Sequence, residues 1–204
     1  DLIRRQYLSK KISERELIEE TLKYYTGPGV CPFLGTANTM AILCEVMGLM
    51  LSGSSLLPAG GALRRMSVKK SGEVLMNMVK MGHRPRDIIT TGSFYNAMVV
   101  LCALGGSLNA CLHLPAIAAE MNIQLSWDRF AEVSAKTPLI AALTPNGNHT
   151  VQDLQIAGGV PSILHELQPL LMLDEKTVEN LTIGQIAQKA LVGERTVIHP
   201  FSQP

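Results

Sequence analysis

One cysteine of the chain stands where a thiolate could do chemistry. Cys31 lies in a loop rich in glycine and proline, Gly29-Val-Cys31-Pro-Phe-Leu-Gly35, directly ahead of Thr36-Ala-Asn-Thr-Met40, which opens an apolar helix. Backbone N–H groups and a helix N-terminus both favour a negatively charged sulfur. This setting suits a soft metal ligand or a reactive thiol. One cysteine cannot complete an iron or zinc site, so most partners of Cys31 must come from elsewhere.

A second polar segment, Gly105-Gly-Ser107-Leu-Asn109, interrupts another apolar helix. Ser107 is predicted to cap the helix that follows, and the N-terminus of that helix could bind an anion. The same motif is more often a plain junction between helices. The residues alone therefore leave both interpretations open.

The remaining cysteines and His113 are predicted to be structural. Cys44, Cys102 and Cys111 lie in apolar helices and have no metal-binding spacing, which favours a place in the core. His113, on an apolar helix face, is predicted to be a hydrogen-bonded structural residue. Four cysteines without paired spacing favour a reducing compartment over a disulfide framework, so we expect a cytoplasmic protein.

The composition excludes several classes of partner. Of the 204 residues, 47% are hydrophobic, 17% are charged and 4% are aromatic, and the formal net charge is +1. This charge gives no strong attraction to nucleic acid, and so few aromatic residues provide no stacking platform for bases. No apolar run reaches membrane-spanning length. The low charged fraction predicts apolar surface that is buried against another domain or subunit, so we expect a homo-oligomer.

Helices must position most of these residues. Capping signals and apolar periodicity predict helices over Ser13–Tyr25, Thr36–Leu51, Ala62–Met81, Ser93–Leu104, Ser107–Met121, Trp127–Ala135, Val151–Ala157 and Val160–Leu171. Pro138–Leu143 is the best strand candidate, and the Thr144-Pro-Asn-Gly147 turn closes it. The pattern predicts an α/β fold, a helix-rich layered domain with a small, mostly parallel sheet flanked by helices.

The ends of the chain predict a longer polypeptide. The sequence begins at Asp1 without a methionine, inside a basic segment, and stops in the extended segment Thr196–Pro204. That last segment reads as a strand or linker that continues into something further. We therefore expect residues 1–204 to be an internal fragment of a longer protein.

With these motifs in place, the chain resembles the dihydroxy-acid dehydratase and phosphogluconate dehydratase family, which includes dehydratases of sugar acids. The matching segments follow one another in order: Cys31–Met40, Leu104–Asn109, Leu112–Leu114, Thr144–Gly147, Asp153, Ala157–Pro161 and Pro200–Gln203. The spacing of the cysteine from Thr-Ala-Asn-Thr-Met, combined with Ala-Gly-Gly-Val, is the most specific part of the match.

The resemblance implies an iron–sulfur hydro-lyase whose partner is a small-molecule dihydroxy acid. In this family an iron of the cluster, 2Fe–2S or 4Fe–4S, acts as a Lewis acid on the C3 hydroxyl of a 2,3-dihydroxy acid. A base removes the C2 proton, and the enol relaxes to a 2-keto acid. A magnesium ion binds the carboxylate end of the substrate.

The resemblance also assigns roles to individual positions. Cys31 matches the last cysteine ligand of the family's cluster. The other cluster cysteines and the magnesium-binding acidic and lysine motif match segments before Asp1, and the serine base belongs to a C-terminal barrel domain beyond Pro204. Residues 1–204 would then be part of one N-terminal α/β domain, inactive alone. The expected substrate-binding residues in this chain are Thr36, Asn38, Ser107 and Asn109.

Departures from the family pattern concern the substrate more than the reaction. Leu108 stands where a threonine is common, and Pro115 stands where an aliphatic residue is expected. The residues Phe33-Leu-Gly35-Thr36 and the Thr144–Gly147 turn favour sugar-acid members of the family. A different class of protein also fits, namely a non-catalytic interaction or regulatory module that keeps the fold without the chemistry.

Overall fold

The computed structural model describes residues 2–24, 29 and 31–204. Ten α-helices form in this part of the chain: α1 Leu2–Leu8, α2 Glu14–Tyr24, α3 Thr36–Val46, α4 Ala62–Met81, α5 Thr91–Ala103, α6 Ala110–Glu120, α7 Trp127–Lys136, α8 Val151–Ile156, α9 Gly159–Glu166 and α10 Ile183–Lys189. Two short 3-10 turns, Pro85–Asp87 and Gln168–Leu170, supplement them. The predicted helix-rich domain is confirmed.

Two apolar helices, α3 and α5, lie at the centre of the core. Helix α3 packs against α5, α6 and α9, and α5 also packs against α6 and α7, while α10 packs against α9. Helices that are apolar around most of their circumference are typical of such buried positions. The largest fully buried side chains come from several of these helices and include Ile42, Leu43, Phe94, Met98, Leu114, Leu154 and Ile163. The segment that follows Cys31 therefore enters the most buried part of the molecule.

Capping residues set several helix ends where the sequence predicted them. Ser13 accepts a hydrogen bond from the backbone N–H of Glu16 at 3.2 Å, and the Glu16 carboxylate accepts one from the Ser13 N–H at 2.7 Å. This reciprocal pair is a capping box, which starts the helix at the predicted place. Ser126 caps α7 by accepting the N–H of Arg129. Gly82, with a φ of 70°, ends α4 in the left-handed conformation.

Helix α3 is shorter than predicted. It begins at Thr36 as expected but ends at Val46 rather than at Leu51, because Gly48 turns the chain with a φ of 80°. A Cβ on Gly48 would lie 2.4 Å from the carbonyl oxygen of Lys176, so the chain crosses another segment closely at this point. For the first predicted helix, Tyr25 at its end lies outside the described residues.

The predicted small parallel sheet is not confirmed. No strand forms among the described residues. The ladder contacts found there are isolated bridges, Leu143 with His149 and Lys176 with Thr182. The architecture of this part of the chain is therefore layers of helices joined by turns and irregular segments.

The strand candidate Pro138–Leu143 runs between α7 and the turn before α8 without forming a ladder. The backbone N–H of Ile140 donates to the carbonyl oxygen of Ala103 at 2.9 Å, and its carbonyl oxygen accepts from the N–H of His199 at 2.8 Å. These partners are a helix end and the C-terminal segment. Strand formation depends on a neighbouring strand, and no such neighbour lies among the described residues.

Helix α4 stands apart from the core. Of its 20 residues only Met78 is buried. Three of its apolar side chains, Met66, Leu75 and Val79, are 66%, 59% and 63% exposed. Neither α4 nor any other helix in the described part of the chain is long and apolar enough to cross a membrane.

Candidate functional site

From residue 31 onward, the cysteine loop lies at the surface between the start of α3 and the start of α8. Cys31 is exposed and carries a free thiol. The backbone after it is anchored on both sides, because the N–H of Leu34 donates to the Thr144 carbonyl at 2.8 Å and the N–H of Val151 donates to the Pro32 carbonyl at 3.0 Å. Pro32 and Leu34 are buried. The loop is thus held in place while the sulfur stays accessible.

Asn38 joins the same loop to the first turn of α3. Its side chain is 8% exposed, and its Nδ2 donates to the carbonyl oxygen of Cys31 at 2.8 Å and to that of Phe33 at 2.7 Å. These bonds use both protons of the amide nitrogen. The structure therefore turns this predicted substrate-binding amide nitrogen toward the cysteine loop.

The other predicted substrate-binding residues, Thr36, Ser107 and Asn109, form one hydrogen-bonded group, which we call the polar cluster. Asn109 Nδ2 donates to Thr36 Oγ1 at 2.7 Å, and Thr36 Oγ1 lies 3.1 Å from Ser107 Oγ. Thr36 and Ser107 are partly buried, whereas Asn109 is exposed. Tertiary structure thus brings together the two segments that the sequence identified separately.

Thr39 completes the contact between these segments and was missed by the sequence analysis. Its Oγ1 accepts a hydrogen bond from the backbone N–H of Ser107 at 3.1 Å. A Cβ on Gly106 would lie 3.0 Å from Thr39 Cγ2 and 2.8 Å from Leu101 Cδ1, so the glycine allows the close approach. Its position in the sequence could have indicated this role, since Thr39 is three residues after Thr36 and therefore on the same side of α3.

The glycine-rich segment starts α6 differently from the prediction. Helix α6 begins at Ala110, and Asn109 occupies the N-cap position without a side-chain cap. Ser107 Oγ instead accepts the backbone N–H of Asn109 at 3.3 Å inside the preceding turn. The predicted capping role of Ser107 is therefore wrong, because its hydroxyl is committed to the turn and the polar cluster.

Several neighbours of the polar cluster are exposed on α6 or just before it. Leu108 is 84% exposed, so the residue that replaces the common threonine faces outward. His113 is also exposed, which contradicts its predicted structural role. Pro115 lies within α6, which nevertheless continues to Glu120.

The cysteines of the described residues could supply one ligand of an iron–sulfur cluster. Among the described residues, no group of three or more His, Cys, Asp or Glu side chains is placed to hold a metal ion. Cys44, Cys102 and Cys111 pack against the core, as predicted, and burial raises the pKa of each of these thiols. A raised pKa disfavours the thiolate that binds metal. Cys31, whose sulfur is accessible, is thus the cysteine of the described residues that could serve as one ligand of a cluster, and further ligands would have to come from elsewhere.

Comparison with known proteins identifies the family of the chain. Residues 2–186 match the model described as dihydroxy-acid/6-phosphogluconate dehydratase N-terminal. The chain belongs to the dihydroxy-acid/6-phosphogluconate dehydratase family. The resemblance recognised from the cysteine and glycine-rich motifs is therefore confirmed.

Curated relatives in this dehydratase family are similar to almost the whole chain. The dihydroxy-acid dehydratase of Endomicrobium trichonymphae is 42% identical over 193 residues, which are 95% of this chain and 35% of the relative. That of Ignicoccus hospitalis is 44% identical over 93% of this chain and 34% of the relative. That of Aeropyrum pernix is 44% identical over 90% of this chain and 34% of the relative. The chain thus spans about a third of the length of these relatives.

Proposed function

We propose that the chain is the helix-rich N-terminal part of an iron–sulfur hydro-lyase that converts a 2,3-dihydroxy acid into a 2-keto acid. The observation that carries this proposal is the accessible Cys31 sulfur on an anchored loop next to the turn of α3 that bears Thr36. Family membership supports the dehydratase class. The relatives described above are all called dihydroxy-acid dehydratase, which supports a dihydroxy acid without singling out a sugar acid.

Cys31 is the residue of this chain that would hold the cluster, in either its 2Fe–2S or its 4Fe–4S form. When bound, the cluster supplies an iron Lewis acid that favours departure of the substrate's C3 hydroxyl group. The remaining cysteine ligands, the magnesium ligands and the serine base are proposed to come from segments outside this chain. Within it, the anchored backbone around Cys31 keeps the sulfur at one place on the pocket wall.

The polar cluster is proposed to line the substrate pocket. Asn109 is exposed and, after its bond to Thr36, retains an amide proton and a carbonyl oxygen that can meet substrate hydroxyl or carboxylate groups. Thr36 and Ser107 hold that amide in one orientation and add hydroxyl groups to the wall. A preorganised set of this kind lowers the entropic cost of orienting a small polyhydroxy acid.

A Cys31→Ser variant of the full-length protein tests the cluster assignment. We expect it to fold but to lose the cluster, because a serine hydroxyl is a poor substitute for a thiolate toward iron. Iron and acid-labile sulfide per protomer, together with visible absorbance after anaerobic purification, measure the loss. Cys111→Ser, at a partly buried cysteine on α6, is the matched control and should keep the cluster. A Cys31→Ser protein with full cluster content would remove Cys31 from the ligand set.

The second candidate is a non-catalytic interaction or regulatory module, which the apolar composition of the chain, 47% hydrophobic and 17% charged, would suit. The longer reading frame distinguishes the two. An enzyme requires further cysteines and an acidic and lysine motif upstream, and a module needs neither.

We further propose that the full-length protein is a cytoplasmic homo-oligomer that acts on a small molecule and binds neither nucleic acid nor membranes.

A further inference from the structure

Three successive carbonyl groups of the cysteine loop are each held by a hydrogen bond from another element. The carbonyl oxygens of Cys31 and Phe33 accept from Asn38 of α3 at 2.8 and 2.7 Å. The carbonyl oxygen of Pro32, between them, accepts from the backbone N–H of Val151 at the start of α8. The loop is therefore clamped between two helices, with a side-chain amide on one side and a backbone amide on the other.

The side-chain half of this clamp acts directly on Cys31. The Cys31 side chain is exposed, so packing does not fix its conformation. The direction of its sulfur therefore depends on how the backbone at residue 31 is held. Asn38 supplies a hydrogen bond to that backbone, since its Nδ2 donates to the carbonyl oxygen of Cys31. Because Asn38 lies two residues after Thr36 in the same helical turn, it also sets the distance between the Cys31 backbone and the polar cluster.

Burial of Asn38 strengthens its two hydrogen bonds to the cysteine loop. Asn38 is almost fully buried, and a buried amide without partners would cost a substantial desolvation penalty. Both Nδ2 protons are used on the loop, so this nitrogen has none left to donate to a substrate. An aspartate of the same shape would present carboxylate oxygens to the two carbonyl oxygens, and both hydrogen bonds would be lost.

We propose that Asn38 is a positioning residue that orients Cys31 as a cluster ligand, rather than a substrate-binding residue. This inference rests on the proposed function, since it takes Cys31 to be a ligand. Asn38 acts through the backbone of residue 31 and touches neither cluster nor substrate. Its loss should therefore change the stability and the spectrum of the cluster before it changes substrate affinity.

The test compares Asn38→Asp with Asn96→Asp in the full-length holoenzyme. Asn96 is a matched control, since it is a fully buried asparagine on α5 whose Nδ2 donates to the Met172 carbonyl at 2.9 Å, in a contact outside the cysteine loop. We expect Asn38→Asp to release iron to a chelator about tenfold faster than the wild type, because the bond that holds the Cys31 carbonyl is worth about that factor and is one of the two that are lost. Its visible circular dichroism and electron paramagnetic resonance signals should change as well. Asn96→Asp should keep both signals, even if its melting temperature falls.

Each result decides between the alternatives. Wild-type chelation rate and spectra in Asn38→Asp, or equal changes in Asn96→Asp, would overturn the positioning role. Cluster retention in Cys31→Ser would instead reject the proposed ligand. If Asn38→Asp does not fold, Asn38→Ser keeps one donor and should show the same changes to a smaller degree. In the metal-free protein, the rate at which iodoacetamide alkylates Cys31, followed by mass spectrometry, should also change in Asn38→Asp and stay unchanged in Asn96→Asp.

Discussion

At the scale of single residues, the site depends on how closely two distant segments approach each other. Gly106 lies at a close approach between them, because a Cβ there would be 3.0 Å from Thr39 Cγ2 and 2.8 Å from Leu101 Cδ1. Thr39 in turn accepts a hydrogen bond from Ser107. The small size of residue 106 therefore supports the polar cluster as directly as the polar side chains do.

A Gly106→Ala substitution should destabilise the protein by about 1–3 kcal/mol, the usual cost of overpacking. Thr39 would have to move by a few tenths of an ångström, which weakens its bond to Ser107. The control is Gly72→Ala in the middle of α4, where a Cβ meets nothing within 4 Å. Alanine there should stabilise by about 0.5–1 kcal/mol. Thermal denaturation of both variants measures the difference, and a Gly106→Ala protein as stable as the wild type would contradict the contact.

At the scale of secondary-structure elements, a buried carboxylate connects α3 to the segment that follows it. Glu45 is 4% exposed, and its carboxylate accepts hydrogen bonds from the backbone N–H groups of Gly53 at 2.6 Å and Ser55 at 2.9 Å. Burial is the main influence and raises the pKa of this carboxyl above its ordinary value of 4.5, although the backbone bonds oppose the shift. The nearby charge of Glu179 raises the pKa further.

This pKa shift predicts how the Glu45 contribution to stability depends on pH. The folded protein binds the proton more tightly than the unfolded chain, so the contribution is fully present below pH 4.5 and is lost as the pH rises through the folded-state pKa. The stability of the wild type relative to Glu45→Gln should therefore decrease with rising pH. Denaturant unfolding of both proteins at several pH values measures this. A relative stability that increases with pH would show that the backbone hydrogen bonds outweigh burial.

Helix boundaries and sheet formation differed in how far the sequence could predict them. The limits of α4, the capping box at Ser13 and the cap at Ser126 follow from neighbouring residues, and the structure confirms them. The strand candidate Pro138–Leu143 has the right composition, but strand pairing requires a second segment that local sequence does not specify. The end of α3 was missed for a similar reason, since it depends on the crossing of Gly48 with Lys176.

At the scale of the whole molecule, α4 leaves an apolar stripe without a partner in the described structure. Val68, Leu75 and Val79 are 64%, 59% and 63% exposed. Positions separated by seven and four residues share one side of a helix, so these side chains form a continuous surface. Apolar surface of this kind indicates an interface with another domain or subunit.

We expect the stripe to contribute to the proposed homo-oligomer. Leu75→Glu in the full-length protein should lower its light-scattering mass toward that of the monomer, because a charge would be buried in an apolar contact. Met66→Glu is the matched control, since Met66 is similarly exposed on α4 but lies nine residues away, on the opposite side of the helix. A wild-type mass equal to the monomer would contradict the oligomer. An unchanged mass in Leu75→Glu would exclude the stripe from its interface.

The sequence by itself determined the family, the candidate cysteine ligand and most helices, because motifs, caps and apolar periodicity depend on residues that are close together in the chain. Only the tertiary structure decided that Asn38 turns its amide to the cysteine loop and that Thr36 meets Asn109. It also decided that the strand candidate forms an isolated bridge instead of a sheet and that one side of α4 remains uncovered in the described part of the chain. These outcomes depend on contacts between residues far apart along the chain, and local propensity does not specify such contacts.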